Sequence, residues 1–528
     1  MKSMIRFPAE TLIILLFFAL CPGEDLSAQQ TAISTKAMVV APTPEAVQAG
    51  LTIFRKGGNA VDAAAATAFA LMVTDPAMCS LGGRSQILIY LNNGEIIGID
   101  GATQSPGTVS GPARTGHGYR TCAIPGSPAA LEAMVKGYGS LPLRVILQPA
   151  IQLARDGFVV RQDYHDAFRE HGQLFRLYPG TAKHFLKEDG TFYAKGETFT
   201  QPALAKTLEV IANRGAGTLY RGELAQAIVR DMLNHEGLIR ANDLAQYHHL
   251  PGTVLQGDYR GYRIMSRGGQ CDGASVIEML QILEHFNLAQ HGFDDPIYLH
   301  LLAQAIYIGH MDEYLPDWLQ ISKELAARRA REIEKTEALP LSIKPGQLKL
   351  GDTNHLSVID EEGNAVSLSQ SIGPAFGSKV ANPELGFLYA FSYDMDEGPI
   401  PYLREKTSQC PTIVADGNKP FLILGAAGSS RIPASVVQTI VNVIDHNMGL
   451  DEAVSAPRVF IADCELRLEG HKLSESTISR LEELGYDMKV FEQLDGWFGR
   501  VHAILVDNTT KKIYGAAGPR DWGDAGGF

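Results

Sequence analysis

"DTNHLSVIDEEGNAVSLSQS", residues 352–371, is the stretch that decides the fold. Two segments of alternating polar and apolar residues flank Glu361-Glu362-Gly363. A three-residue loop with Gly in third place is a favoured connection between antiparallel strands. The pattern therefore predicts a hairpin that closes on Asp360 and Asn364.

Counting outward from that turn predicts which residues face each other across the hairpin. The predicted pairs are Ile359 with Ala365, Ser357 with Ser367, and His355 with Ser369. By the same count Thr353 lies near Ser371, so two hydroxyl groups meet at the open end of the hairpin. The first strand therefore begins on an Asp-Thr bond with a second hydroxyl beside it.

Thr353 can act as a nucleophile under one condition. A Thr hydroxyl is weak until a base removes its proton, and a free α-amine, with a pKa of roughly 8, is such a base. Thr353 gains a free amine only if the Asp352–Thr353 bond is cut. In the uncut chain its hydroxyl would attack the carbonyl of Asp352, and water would hydrolyse the resulting ester. By spacing alone, an ordinary strand that begins with Thr remains the alternative.

The composition describes a globular protein and argues against one class of partner. The chain has 528 residues, of which 45% are hydrophobic and 20% charged, enough for two to four domains. Its net charge of −13 argues against a nucleic-acid binder, which normally carries a basic face.

Cysteine and histidine spacing predicts neither a disulfide framework nor a metal site. Beyond the N-terminal segment the cysteines are odd in number and far apart: Cys79, Cys122, Cys271, Cys410 and Cys464. They suit buried small hydrophobic residues better. HExxH is absent, and "YHHL" at 247–250 suits a loop better than a metal ligand set. We expect no metal and no organic cofactor, because the proposed nucleophile and base lie on one residue.

Residues 1–28 have the layout of a secretory signal. Lys2 and Arg6 precede an apolar run from Leu12 to Leu20, and Leu26-Ser27-Ala28 provides a cleavage site. The apolar run is short for a bilayer span, although an uncleaved anchor or a lipoprotein at Cys21 are the alternatives. The sequence predicts a secreted or periplasmic protein with no membrane insertion once the signal is removed.

The rest of the chain mixes helices and strands. Thr43 and Pro44 begin one helix that stops at Gly57, and Asn59 with Asp62 forms a capping box for an Ala-rich second helix. "SQILIYLNNGEIIGID" predicts a hairpin turning at Asn93-Gly94, and "GDYRGYRIMS" predicts one strand.

Two large pieces are expected. The middle, roughly 125–340, shows mostly helical spacing, and a charged helix at 323–336 is broken by "ALPLSIKPGQ". Further strands and helices follow the central hairpin, with extensive antiparallel pairing expected. Two layers of helix around two sheets would bury all their apolar faces.

Several long motifs in the same order resemble the γ-glutamyltransferase (γ-glutamyl transpeptidase) family of N-terminal-nucleophile hydrolases. Besides the central hairpin they are "GGNAVDAAAATAFALMVTDP" with "LGG", "LQPAIQLARDGF", "GDYRGY", "GAAGSSRIPASVVQTIVNVID" and "YGAAGPR". The resemblance implies an α+β fold, a four-layer αββα sandwich. It also implies self-cleavage into a large subunit, 29–352, and a small subunit, 353–528.

The resemblance further implies residue roles. Thr353 takes the nucleophile position, and Ser371 the position whose hydroxyl touches it. Gly428 and Ser429 fall where backbone N–H groups form the oxyanion hole, although "GAAGSSR" alone also fits a plain Gly-rich turn. Cleavage is expected between Asp352 and Thr353.

On the substrate side Thr407 and Ser408 match the paired hydroxyls that hold the α-carboxylate; an ordinary Ser/Thr-rich turn is the alternative. Glu397, or Asp396, in "SYDMDEG" could bind the substrate amine, with shifted spacing. The segment from there to "TSQCPT" is short, so the long lid loop of many transpeptidases is missing.

Three positions depart from the family pattern. Ala102 stands where the family carries its substrate-binding arginine, and Gly373 stands where it carries an asparagine. Arg84 stands where glycine is usual. Arg84 is either a replacement cation for the substrate carboxylate or a simple rim arginine.

Three functions are compatible with these residues. The first is a secreted, self-processing hydrolase or transferase of γ-glutamyl compounds such as glutathione, whose partners are the small-molecule substrate and the two subunits of one precursor. The second, favoured by Ala102 and Gly373, is an acylase for another amide, as in the cephalosporin-acylase branch. The third is an uncut, inert relative that only binds its ligand.

Thr353→Ala is expected to block both maturation and activity, because one hydroxyl performs both attacks. Mass spectrometry of the purified variant should show a single uncut chain. Efficient cleavage between residues 352 and 353 in the absence of the hydroxyl would contradict self-processing.

Overall fold

The computed structural model describes residues 30–109, 111–333, 338, 352–470 and 473–528. The predicted signal segment, 1–28, lies outside the described residues. So does all of "ALPLSIKPGQ" except Ala338. The signal and the break between the two large pieces therefore stay predictions.

The strands, in chain order, are β1 (Thr31–Ser34), β2 (Met38–Ala41), β3 (Arg84–Tyr90), β4 (Ile96–Gly101), β5 (Phe158–Val159), β6 (Thr198–Phe199), β7 (Leu250–Pro251), β8 (Val254–Tyr259), β9 (Tyr262–Arg267), β10 (Asp352–Ile359), β11 (Ala365–Gly373), β12 (Thr412–Asp416), β13 (Lys419–Ala427), β14 (Val459–Ala462), β15 (Glu465–Glu469), β16 (Met488–Phe491), β17 (Arg500–Asp507), β18 (Lys512–Ala517) and β19 (Asp524–Gly527).

The α-helices are α1 (Pro44–Arg55), α2 (Ala60–Thr74), α3 (Ser127–Tyr138), α4 (Leu143–Ile146), α5 (Gln148–Asp156), α6 (Gln162–Phe175), α7 (Pro179–Phe185), α8 (Pro202–Arg214), α9 (Gly217–Arg221), α10 (Glu223–Asn234), α11 (Ala241–Gln246), α12 (Gly273–Leu283), α13 (Pro296–Met311), α14 (Asp317–Gln320), α15 (Lys323–Ile333), α16 (Tyr393–Glu397), α17 (Ile432–Ile444), α18 (Leu450–Ser455) and α19 (Glu475–Glu483). Short 3₁₀ turns lie at Tyr119–Thr121, Leu288–Gln290, Ser429–Arg431 and Gly496–Phe498.

Two seven-stranded antiparallel sheets form the centre of the molecule. Sheet I has the order β19-β2-β10-β11-β3-β4-β7, and sheet II has the order β1-β18-β17-β13-β12-β9-β8. An apolar cluster that includes Val40, Leu88, Ile413 and Ile423 fills the space between them.

Helices cover the outer face of each sheet. One apolar cluster joins α1 and α2 to the outer side of sheet I, and another joins α12, α13 and α17 to sheet II. The order helix, sheet, sheet, helix is the predicted four-layer αββα sandwich, so this prediction is confirmed.

Helix α2 lies directly over the central hairpin. All its residues are buried, and its Ala-rich surface allows close approach to β10 and β11. The predicted capping box is present: the Asn59 side chain accepts from the Asp62 N–H at 3.0 Å, and Asp62 accepts from the Asn59 N–H at 3.1 Å. Thr43 caps α1 as predicted.

The hairpin of β10 and β11 closes as predicted. The Asp360 N–H donates to the Asn364 carbonyl at 3.1 Å, and Gly363 has a φ of 90°. The three predicted cross-strand pairs are all present. In addition, the Asp360 carboxylate accepts from the Ala60 N–H at 2.9 Å, which ties the turn to the start of α2.

The prediction of one strand for "GDYRGYRIMS" is wrong. These residues belong to the hairpin of β8 and β9, which turns on Arg260 and Gly261 with φ values of 51° and 87°. Both turn residues adopt positive φ, as the tightest hairpin loops require. Arg is uncommon there, so residue type did not signal the turn.

The described residues carry neither a disulfide nor a metal-binding cluster. Cys79, Cys122, Cys271 and Cys410 are free and buried, and Cys464 is half-buried and takes part in no disulfide. No group of three or more metal-ligating side chains occurs in the described ranges. Within the same ranges, no helix is long and apolar enough to cross a bilayer.

Gly425→Ala is expected to destabilise the sandwich, because a Cβ on this β13 residue would overlap the His355 ring on β10. Overpacking of this kind typically costs about 1–3 kcal/mol. The expected result is a lower melting temperature and less self-cleavage on a gel. Gly137→Ala is the control, since a Cβ there, on helix α3, meets open space. Equal melting temperatures for the two variants would contradict the close approach of the sheets.

Candidate active site

Thr353 lies at a β-bulge at the open end of the hairpin. Asp352 pairs with Gly373 but Asn354 pairs with Gln370, so β11 has one extra residue opposite Thr353. Thr353 is 6% exposed. Bulges of this kind re-aim side chains next to active sites, and this one shifts Ser371 toward the peptide bond that precedes Thr353.

Ser371 touches the carbonyl of the predicted cleavage site. Its Oγ donates to the Asp352 carbonyl oxygen at 2.5 Å and accepts from the Gly373 N–H at 3.0 Å. A hydroxyl that both donates and accepts is fixed in orientation. Its donation withdraws electron density from the carbonyl carbon, which is the atom that the Thr353 hydroxyl would attack.

The charge of the Asp352 carboxylate interacts with those of Arg500, Arg431 and Lys379. Arg500 Nη2 lies 3.6 Å from Asp352 Oδ1. Burial lowers the pKa of Arg431 to about 10 and that of Lys379 to about 8, and in both cases the charge of Asp352 opposes the shift. The negative charge of Asp352, at the predicted cleavage bond, therefore interacts with three basic side chains.

On the helix side of β10, Asn354 anchors the strand. Its Nδ2 donates to Asp75 at 3.2 Å and lies 3.0 Å from Cys79 Sγ, and Gln370 Nε2 lies 3.3 Å from the same sulfur. Burial raises the pKa of Asp75 to about 7, although the Asn354 hydrogen bond lowers it. This network joins the residue after Thr353 to the C-terminal end of α2, and no sequence motif indicated it.

On the other side of β10, the His355 ring faces Gly425 of sheet II and is hydrogen-bonded within sheet I. Its Nδ1 lies 2.9 Å from Ser369 Oγ, and its Nε2 lies 3.1 Å from Ser357 Oγ. Burial, and next the charge of His502, hold the pKa of His355 well below its usual value. The imidazole is therefore neutral and donates one hydrogen bond while accepting another.

The predicted oxyanion loop lies at the same end of the sandwich as Thr353. Gly428 (φ 139°) and Ser429 (φ 54°) connect β13 to α17. Ala427, just before the loop, pairs with Arg500, whose guanidinium contacts Asp352. Positive φ is uncommon for a non-Gly residue such as Ser429 and marks a constrained turn.

Arg84 lies directly beside the β10–β11 hairpin. It pairs with Ser371 across β3 and β11, and its Nη2 would lie 3.8 Å from a Cβ placed on Gly373. The guanidinium thus fills the side of the site where the family pattern has an asparagine. Its Nη1 lies 3.6 Å from Glu405 Oε2, and both side chains are buried.

Glu405, the partner of Arg84, was not indicated by the sequence. Its Oε1 accepts from Ser392 Oγ at 2.6 Å and from the Asp394 N–H at 2.7 Å. It is therefore inserted into the stretch where the resemblance placed the amine-binding acid. The only sequence signal was an acidic residue two positions before Thr407.

The two acids named for that role from sequence are placed differently. Asp396 accepts from the backbone N–H groups of Thr115 at 2.7 Å and Gly116 at 3.1 Å, so it holds a neighbouring loop. Glu397 is exposed at the end of α16.

Of the remaining predicted residues, Thr407 and Ser408 lie between α16 and β12, and Ala102 directly follows β4. Thr407 and Ser408 are half-buried. The Thr407 N–H donates to the Gln270 carbonyl at 2.8 Å, and its hydroxyl accepts from the Gln409 N–H at 3.3 Å. Ala102 is buried, and its carbonyl accepts from Tyr247 Oη at 2.6 Å.

A family model described as Gamma-glutamyltranspeptidase matches residues 46–528. The chain belongs to the γ-glutamyltranspeptidase family. It is an enzyme of the γ-glutamyltransferase and glutathione hydrolase-like class.

The proteins similar to this γ-glutamyltranspeptidase family member carry two kinds of name, glutathione hydrolase and acylase. The chain is 32% identical to the glutathione hydrolase proenzyme of Escherichia coli (strain K12), across 92% of this chain and 91% of that protein. It is 33% identical to the acylase ACY 1 proenzyme of Pseudomonas sp. (strain SE83), across 84% of this chain and 85% of that protein.

A solved structure of the acylase kind also matches this γ-glutamyltranspeptidase family member. The crystal structure of cephalosporin acylase from Bacillus halodurans has a TM-score of 0.86 and 26% identity, and the match covers 97% of this chain and 99% of that one. A protein named as an acylase therefore has the same fold as this chain.

Ser371→Ala is expected to slow self-cleavage roughly 100-fold, because one pre-aimed donor to a reacting carbonyl oxygen is typically worth about that much. A time course of precursor loss on a gel measures the rate. Ser371→Thr keeps a hydroxyl and is the matched control, expected to cleave much faster than the Ala variant. If Ser371→Ala matured at the wild-type rate, the bond to the Asp352 carbonyl would have no role in cleavage.

Proposed function

We propose that this γ-glutamyltranspeptidase family member is secreted, cuts its own Asp352–Thr353 bond, and then hydrolyses γ-glutamyl amides such as glutathione through an acyl-enzyme on Thr353. One observation carries the proposal: the Ser371 hydroxyl donates to the Asp352 carbonyl oxygen at 2.5 Å. The contact puts a polarised carbonyl beside a buried threonine.

Maturation is an acyl shift followed by hydrolysis. Thr353 Oγ loses its proton and bonds to the carbonyl carbon of Asp352, the C–N bond breaks, and the released nitrogen takes up a proton. Water then hydrolyses the ester, leaving a carboxylate on Asp352 and a free amine on Thr353. The products are a large subunit, 29–352, and a small subunit that begins with the nucleophile.

Turnover repeats the same attack with the new amine as base. The Thr353 hydroxyl attacks the γ-carbonyl of the substrate while its amine takes the proton. The N–H groups of Gly428 and Ser429 hold the oxyanion, a role suited to pre-aimed backbone donors. The leaving amine takes the proton, and water or an acceptor amine then releases the acyl group.

A second set of residues selects the substrate. Thr407 and Ser408 supply hydroxyls for the α-carboxylate, and Arg84 supplies a buried cation in place of the arginine lost at position 102. The similarity to a protein named glutathione hydrolase supports a glutathione-like substrate. The signal-like segment 1–28 supports export.

An acylase for a different amide is the second candidate. It is supported by Ala102 and Gly373, which remove two family contacts to the glutamyl group, and by the similarity to acylase ACY 1 and cephalosporin acylase. A panel of anilide donors tests the choice: faster release from a γ-glutamyl anilide than from other acyl anilides supports the first candidate. A single uncut band on a gel would instead favour an inert relative.

Hydrolysis is expected to dominate over transfer. The segment between Glu397 and Thr407 is short, and Ile400 and Tyr402 within it are 53% and 46% exposed, so little covers the acyl-enzyme to exclude water. Product analysis with a γ-glutamyl donor and Gly-Gly as acceptor measures the balance. Mostly transfer product at neutral pH and modest acceptor concentration would contradict the expectation.

A further inference from the structure

Asp75 stands where a negative charge is unfavourable for folding. It is the C-cap residue of α2, and the C-terminus of a helix carries partial negative charge that disfavours an acidic side chain. Asp75 is also only 8% exposed, and burial raises its pKa to about 7. An acid kept in such surroundings beside a reacting centre is a candidate for a functional role.

The Asp75 carboxylate anchors the residue that directly follows Thr353. Its Oδ2 accepts from Asn354 Nδ2 at 3.2 Å, and Cys79 Sγ lies 3.0 Å from the same nitrogen. Asn354 Oδ1 has no hydrogen-bond partner among the described residues. The orientation of the buried Asn354 side chain therefore depends on Asp75 and Cys79.

Asn354 belongs to the last regular pair before the β-bulge. It pairs with Gln370, and the register shifts between this pair and Asp352. Gln370 Nε2 donates to the Ala68 carbonyl of α2 at 3.1 Å, so both members of the pair are bound to the helix layer. Thr353 lies directly beyond the pair, where the described strands give it no ladder partner of its own. The anchor at Asn354 thus determines where the Thr353 hydroxyl lies.

Asp75 is also near the nitrogen that would become the amine of Thr353. Asn354 is the next residue in the chain, so a group that binds its side chain lies close to the backbone of Thr353. A negative charge close to an amine favours the protonated form and raises the pKa of the amine. Asp75 can therefore act on both halves of the nucleophile, the hydroxyl through its position and the amine through its charge.

Two arginines act on Asp75, and both have other partners. The charges of Arg161 and Arg500 lower the pKa of Asp75. Arg161 Nη1 lies 3.5 Å from Glu45 Oε2, and Arg500 Nη2 lies 3.6 Å from Asp352 Oδ1. Among the described residues, Asp75 has no ion-pair partner of its own, so its charge remains available to the Thr353 amine.

Three further titratable groups face Asp75. The charge of Asp163, on α6, raises the pKa of Asp75. Tyr164 and Cys79 stay neutral, because burial raises the pKa of each well above its usual value. Asp75 is therefore the group of this neighbourhood whose charge changes near neutral pH.

We propose that Asp75 is a positioning residue for the Thr353 nucleophile: through Asn354 it fixes the hydroxyl, and its negative charge makes the amine that cleavage creates more basic. The inference rests on the proposed function. It adds a residue that acts from the helix layer and touches neither the substrate nor the reacting atoms.

The first test is a cycle of alanine variants, assayed with the acyl anilide that wild type hydrolyses fastest and expressed per small subunit on a gel. Asp75→Ala and Asn354→Ala should each lower kcat roughly 10–100-fold at unchanged KM, because a misplaced nucleophile slows the chemical step. The double variant should be little slower than either single variant, because the two residues act through one contact. Additive losses in the double variant, or losses confined to KM, would overturn the positioning role.

The second test is the pH profile of Asp75→Asn, which keeps the shape of the side chain and an oxygen that can accept from Asn354. The acid limb of kcat/KM, which reports the Thr353 amine, should move roughly half to one pH unit lower, because the amine loses a nearby negative charge. An unshifted limb would overturn the charge role.

Thr74→Val is the matched control for both tests. Thr74 is buried next to Asp75 at the same end of α2, but its hydroxyl bonds to Thr43 at 2.8 Å and to the Ala70 carbonyl at 3.1 Å, away from the hairpin. This variant should keep the wild-type kcat and pH profile whatever its melting temperature. A loss equal to that of Asp75→Ala would show that any damage to this helix end slows the enzyme, and would overturn the proposal.

The outcomes separate this inference from the proposed function. A wild type that prefers another acyl anilide would contradict the proposed substrate, while the ratios between variants and wild type on that donor would still test Asp75. A wild type that stays uncut and inactive would overturn both.

Discussion

The register of the β10–β11 hairpin is the constraint on which the site depends. Side chains alternate along a strand, so a shift of one residue would turn Thr353 toward α2 and Asn354 toward sheet II. Three contacts oppose that shift: Asp360 binds the first N–H of α2, Asn354 binds Asp75, and His355 lies between Ser369 and Ser357. Together they connect the hairpin to the helix layer on one face, and on the other face Ser357 Oγ donates to the His502 carbonyl in sheet II at 3.1 Å.

The bulge at Thr353 determines which groups lie next to the Asp352–Thr353 bond. It brings the Ser371 hydroxyl to the Asp352 carbonyl oxygen, while the charges of Arg500, Arg431 and Lys379 act on the Asp352 carboxylate. Under the proposed self-cleavage, the Ser371 hydrogen bond would polarise the Asp352 carbonyl before Thr353 has an amine of its own. One arrangement can then serve two attacks, because both place negative charge on a carbonyl oxygen at the same position.

Arg84 and Gly373, two departures from the family pattern, lie next to each other. Arg84 fills space beside Gly373, and Glu405 balances its charge. Arg84 precedes the proposed cleavage point and Glu405 follows it, so the pair would join the two subunits. A buried cation without such a partner would have a large desolvation cost.

The sequence by itself determined what depends on neighbours along the chain: the caps of α1 and α2, the turn at Gly363 and the three pairs of the hairpin. The order of its motifs also indicated the sandwich and the position of Thr353. Only the tertiary structure decided the bulge at Thr353, the β8–β9 turn at Arg260, and the Arg84–Glu405 pair. Capping and period-two alternation are local and show in residue type. The bulge and the ion pair depend on which strand lies beside which and on the atoms left buried there, and that order arises from packing between residues far apart in sequence.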